Sequence, residues 1–108
     1  GLPLEIKVKR YDGSTESVIK ITDVSYVYEK EYTTQLKITL SGKKIYGNSS
    51  SYDIIAYKLY DSKGYLIDSS NLYLKSLSTG DKFKDDSIVV YDITPGENYT
   101  LQFTEYNW

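Results

Sequence analysis

Along most of this chain hydrophobic and polar positions alternate, which is the period of a β-strand with one buried face. Leu4, Ile6 and Val8 alternate with Glu5, Lys7 and Lys9, and Asp12-Gly13 then marks a turn. A second strand region runs from Val18 to Glu29. Its apolar parity changes from Ile19 and Ile21 to Val24, Tyr26 and Tyr28, so a bulge or break is expected near Thr22-Asp23. After the polar link Glu29-Lys30-Glu31, the residues Leu36, Ile38 and Leu40 form the cleanest one-faced strand. Gly47 to Ser51 reads as a loop. Tyr52 to Asp61 is apolar on both parities, as a central strand would be, and Asp61-Ser62-Lys63-Gly64 reads as a hairpin turn with glycine in the left-handed position. Tyr65–Asp68 returns as its partner. Leu72–Leu77, Ile88–Tyr91 and Tyr99–Tyr106 complete the set. Short strands at this spacing, with turn signals between them and no helical period, predict one all-β sandwich of about seven antiparallel strands.

Composition agrees with that pattern. Thirteen tyrosines suit a pleated, half-buried surface, whereas alanine, the best helix former, occurs once, at Ala56. A length of 108 residues fits a single domain, with residues 1–3 read as a tag remnant or linker. The formal charge of −2 is spread along the chain, and the longest basic piece is Lys43-Lys44, too short to track a phosphate backbone. Nucleic acid is therefore not an expected partner. No apolar run is long enough for a membrane helix, and the isolated domain is expected to be a monomer.

The segment Ile93-Thr94-Pro95-Gly96-Glu97-Asn98-Tyr99-Thr100-Leu101 resembles the turn and following strand of fibronectin type III domains, in which a tyrosine corner closes the turn. That resemblance makes Pro95, Gly96 and Tyr99 structural, with the Tyr99 hydroxyl bonded back to the turn. The segment Tyr57-Lys58-Leu59-Tyr60-Asp61, followed by Ser62-Lys63-Gly64, looks like the signature of FxLYD-type immunoglobulin-like domains of bacterial envelope proteins. It implies structural roles for Tyr57, Leu59, Asp61 and Gly64. Together the two likenesses imply an immunoglobulin-like or fibronectin-III-like sandwich, extracytoplasmic, secreted or held at the cell surface by regions outside this segment. The function they imply is that of a non-enzymatic spacer or protein-recognition module, whose partners would be other protein domains.

Candidate chemistry is sparse. Without His or Cys the commonest general base, the thiol nucleophile and the usual zinc ligands are missing, so neither an enzyme nor a metal or cofactor is expected. A carboxylate pair drawn from Asp53, Asp61, Asp68, Asp81, Asp85, Asp86 and Glu97 is the remaining route to glycoside hydrolysis, and Asp81, Asp85 and Asp86 the remaining route to calcium. Most of these lie beside turn residues, where Asp commonly bonds nearby backbone. The alternative function is a carbohydrate or cell-wall glycan module whose tyrosine-rich sheet face carries Tyr26, Tyr28, Tyr60, Tyr73 and Tyr106. Against it stands the plainer reading that such rings form stabilising cross-strand pairs. Some cysteine-free Gram-positive sandwiches carry a lysine–asparagine cross-link; here Lys7 or Lys9 and Asn107 are the residues that first and last strands would bring together.

Overall fold

The computed structural model describes residues 1–10, 12–30, 32–48, 52–74 and 76–105. Its strands are β1 (Leu4–Lys9), β2 (Thr15–Lys30), β3 (Thr34–Gly47), β4 (Asp53–Tyr60), β5 (Leu66–Leu74), β6 (Lys82–Tyr91) and β7 (Thr100–Glu105). They form a four-stranded sheet in the order β1-β2-β3-β6 and a three-stranded sheet in the order β5-β4-β7, with every pairing antiparallel. The chain is thus an all-β sandwich with no helix among the described residues.

The alternation that predicts the strands also builds the core. Ile6 and Val8 of β1, Ile19 and Ile21 of β2, and Leu36, Ile38 and Leu40 of β3 face inward from one sheet. Ile55, Tyr57 and Leu59 of β4, with Leu72 and Leu74 of β5, meet them from the other. The register of β2 against β3 shifts between Ile21 and Asp23, at the point where the sequence changes parity. Strand β4, apolar on both parities, is the middle strand of its sheet.

Four strands are longer than the side-chain pattern predicts, β2 already beginning at Thr15 rather than Val18. Strand β3 continues past Leu40 to Gly47, and β6 begins at Lys82 rather than Ile88 because Lys82 to Asp85 pair with Lys43 to Leu40. Strand β5 is continuous where two strands were expected, since Ser69, Ser70 and Asn71 pair with Lys58, Tyr57 and Ala56. It ends at Leu74, short of Leu77. In each case a backbone ladder carries polar residues that offer no apolar signal of their own.

Two turns in which a glycine precedes an acid, Gly80-Asp81 and Gly96-Glu97, sit at opposite ends of the sandwich. At the Gly47 end, Asp81 N–H donates to the Ser78 carbonyl (2.9 Å), and the same turn grips β3 through Lys44 N–H to the Asp81 carbonyl (3.0 Å) and Gly80 N–H to the Lys44 carbonyl (2.7 Å). At the Tyr60 end, Glu97 N–H donates to the Thr94 carbonyl (3.3 Å). The Tyr99 hydroxyl accepts from Thr94 N–H at 3.0 Å and lies 3.3 Å from the Thr94 carbonyl, tying the turn of Pro95 and Gly96 to the start of β7.

Candidate functional site

Two places in the fold hold side chains that core packing alone does not explain. The first is a groove of about 240 Å³ at the Tyr60 end, lined by Val24 and Tyr28 of β2, Leu36 of β3, Leu59 of β4, and Tyr99 and Leu101. Its existence follows from register. Strand β1 covers β2 only as far as Ile21, where Leu4 pairs, so Thr22 to Lys30 have no strand beside them on that side among the described residues. Strand β7 pairs only with β4; β1 approaches its second half, from Phe103 to Glu105, and no strand pairs with its outer edge among the described residues. The two sheets gape between these edges, and Tyr26 stands at the mouth, 67% exposed, with its ring edge-on to Tyr28 at 5.7 Å.

The second place lies at the Gly47 end and is buried. The inward faces of β2, β3 and β4 continue past the core to Ser17, Lys44 and Asp53, which are 0%, 0% and 2% exposed. Lys44 Nζ lies 3.0 Å from Asp53 Oδ2 and donates to the Asn48 carbonyl at 2.6 Å. The Ser17 hydroxyl donates to Asp53 Oδ1 at 2.6 Å. Asp53 Oδ2, also buried, has no donor besides the Lys44 ammonium among the described residues, and that contact lies outside hydrogen-bond geometry. Gly47 allows this close packing: it pairs with Ser17 at a φ of 116°, and a Cβ there would come within 2.7 Å of Ser17 Oγ.

No family model, no curated protein and no solved structure matches this chain.

The structure distributes the tyrosines predicted as one binding face over several places. Tyr26 and Tyr28 belong to the groove. Tyr73 lies on the outer face of the three-stranded sheet, its ring 89° from that of Tyr52 at 6.3 Å. Tyr60 closes the other end of β4, where it pairs with Leu66, whereas Tyr73 pairs with Ile54. The two are therefore about 20 Å apart along the strands. Tyr106 and Asn107 lie outside the described residues, and Lys9 pairs with Glu105 at 3.4 Å.

The remaining expected positions are structural in geometry. Tyr57 is buried, with its hydroxyl 3.3 Å from Asp68 Oδ2; burial first, and then the Asp68 charge, push the phenol above its ordinary value of 10.0. Leu59 is buried beside the groove. Asp61 Oδ1 accepts from Lys63 N–H and Tyr65 N–H, both at 2.9 Å, and Gly64 has a φ of 87° in the same turn. The carboxylates considered for catalysis or calcium are spent locally. Asp81 accepts from Ser78 N–H, Asp85 from Ser87 N–H and Oγ–H, Asp86 pairs with Lys37, and Glu97 accepts from the Ser62 hydroxyl. No group of three or more His, Cys, Asp or Glu able to hold a metal ion is present among the described residues. No helix there is long and apolar enough to cross a membrane.

Sequence reasoning considered Asp53 only as a catalytic carboxylate and Lys44 only as half of a basic pair. The signal that singles them out is parity: Lys44 continues Leu36, Ile38 and Leu40, Asp53 precedes Ile55 and Tyr57, and Ser17 precedes Ile19 and Ile21.

Proposed function

We propose that this domain is a non-enzymatic recognition module of an extracytoplasmic protein, and that it takes an extended polypeptide segment as an added strand. The observation that carries this reading is the open edge of β2 from Thr22 to Lys30 beside the apolar groove. A strand edge offers unpaired N–H and C=O groups to an incoming chain, while the groove offers a pocket for every second side chain. Topology supports it as well. Set β1 aside, and β2-β3-β6 facing β5-β4-β7 follows the order A-B-E facing C′-C-F of an immunoglobulin-type sandwich, without a last strand beyond β7 among the described residues. The groove lies where such a strand would close the sandwich.

A glycan module fits less well. Sugar rings stack on aromatic faces, and neither tyrosine pair presents a shared plane: the rings of Tyr26 and Tyr28 stand at 75°, those of Tyr52 and Tyr73 at 89°. A spacer role is compatible with recognition. Strand β1 starts midway along β2, beside Ile21, and runs toward Lys9, where β7 also finishes at Glu105. The extracytoplasmic placement rests on the resemblance of Tyr57–Asp61 and Ile93–Leu101 to domains of envelope proteins.

The test is selection of a displayed random-peptide library on the isolated domain, followed by calorimetry with a recovered peptide. Extended sequences with alternating apolar residues are expected, and Tyr26→Ala should weaken their binding about tenfold, as truncation of an aromatic anchor does. Absence of any enriched peptide, or binding indifferent to Tyr26→Ala, would refute the reading.

A further inference from the structure

We infer that Lys44 and Asp53 condense to a covalent amide that ties β3 to β4 and so joins the two sheets. The inference stands apart from the recognition site, which occupies the opposite end of the sandwich, and begins from an energetic oddity. A lysine and an aspartate, each essentially without solvent, face one another at 3.0 Å. Removing both charges from water is costly, and their attraction seldom repays it unless the remaining donors and acceptors are satisfied. Here Asp53 Oδ2 meets only the Lys44 ammonium, at 3.0 Å and outside hydrogen-bond geometry, and has no second donor among the described residues. The arrangement is poorly explained as a stabilising ion pair.

It is well arranged for condensation. The two carboxylate oxygens are differentiated: Oδ1 receives the Ser17 hydroxyl at 2.6 Å, whereas Oδ2 faces only the Lys44 ammonium at 3.0 Å. Charge developing on Oδ1 as nitrogen adds to the carboxyl carbon therefore meets a placed donor, which is how an oxyanion is stabilised. The Asn48 carbonyl holds one Nζ hydrogen at 2.6 Å and fixes the nitrogen from the other side. The backbone of Lys44 is held in turn by Gly80 and Asp81. Groups fixed in contact in this way react with effective concentrations far above those of free reagents.

The step balances without any outside reactant. The ammonium of Lys44 passes one proton to Oδ2, leaving a free amine facing a neutral carboxylic acid. The Nζ lone pair forms the bond to the carboxyl carbon. A second Nζ hydrogen then moves to Oδ2 as the carbon–Oδ2 bond breaks, and Oδ2 leaves as water carrying both protons. The amide keeps one hydrogen on nitrogen and Oδ1 as its carbonyl oxygen, still accepting from Ser17. Two buried charges vanish, nothing is oxidised or reduced, and the burial that crowds the pair also shields the product from hydrolysis.

Intact mass spectrometry of the purified wild-type chain under denaturing conditions tests this directly. The expected mass is one water below that of the sequence, and proteolytic mapping should place the loss in a branched peptide joining Lys44 to Asp53, with no tryptic cleavage after Lys44. Lys44→Arg and Asp53→Ala should restore the unmodified mass, while Ser17→Ala should give a mixture of the two masses. A wild-type mass equal to the full sequence would overturn the inference. So would a water loss mapped elsewhere, such as a succinimide at Asp12-Gly13. If Ser17→Ala instead condenses completely and as fast as the wild type, the role assigned to its hydroxyl is wrong.

Discussion

Gly42 offers a test in which the sign of the effect decides. It sits on the inward face of β3, opposite Ile21 of β2 and Phe83 of β6, next to the β2 bulge. Replacing a strand glycine by alanine ordinarily stabilises a protein by about 0.4–1 kcal/mol, because the unfolded chain loses freedom. The structure reverses that expectation. A Cβ on Gly42 would press into the Lys20 carbonyl oxygen and stand 2.7 and 2.8 Å from two carbons of the Phe83 ring. The ring can turn aside, but the carbonyl belongs to the β2–β3 ladder and moves only if the ladder opens. Overpacking of this kind costs about 1–3 kcal/mol. Against the entropic gain, the net effect of Gly42→Ala should be a destabilisation of about 1.3 kcal/mol. With a urea m-value of about 2 kcal/mol/M, that is a fall of roughly 0.6 M in the unfolding midpoint. Phe83→Leu added to Gly42→Ala should recover only the ring's share, giving a coupling of about 0.5–1 kcal/mol in a double-mutant cycle. A Gly42→Ala variant as stable as the wild type, or more so, would refute the close approach of β2 and β3. Strict additivity with Phe83→Leu would refute the position of the ring.

Two further outcomes are expected. Tyr57 holds its proton more tightly in the folded than in the unfolded chain, because burial and Asp68 both disfavour the phenolate. Its contribution to stability is therefore complete below about pH 10 and is lost as pH rises through the ordinary tyrosine value toward the higher folded one. Urea midpoints measured from about pH 8 to 11 should fall at the alkaline end, and the fall should be shallower in Tyr57→Phe; identical slopes would contradict the assignment. Tyr99→Phe removes the hydroxyl that binds Thr94 at 3.0 Å and should cost about 1 kcal/mol in the same assay, while an unchanged midpoint would make the corner ornamental to stability.

What the sequence revealed, and what it withheld, follows from how β-structure is encoded. Alternation identifies a strand by its apolar face, so the core of β1, β3 and β4 was legible residue by residue, and the parity change at Thr22-Asp23 located a bulge. The same rule misses polar stretches that lie in register with a neighbour. Ser69 to Asn71 and Lys82 to Asp85 are strand because β4 and β3 supply partners, which are tertiary facts. The groove was invisible for a related reason: it depends on where β1 ends against β2, and a strand's length does not reveal which partner residues it leaves uncovered. Tyr26 and Tyr28 were therefore recognised as candidates without the edge that gives them a role, and were grouped with Tyr60 and Tyr73, which face elsewhere. The buried site is the instructive case, because its signal lies in the sequence as parity alone. Continuing three apolar parities, by one step in β2 and β4 and by two, past Gly42, in β3, reaches Ser17, Asp53 and Lys44. Ionisable residues at core parity are ordinarily taken as evidence that a strand has ended, since an unpaired buried charge is prohibitive. That inference fails when the strands converge, because a cation, an anion and a hydroxyl that would each terminate a core alone extend it together. A lysine and an aspartate that both keep core parity on strands of opposite sheets should accordingly be read as a pair before either is assigned to the surface.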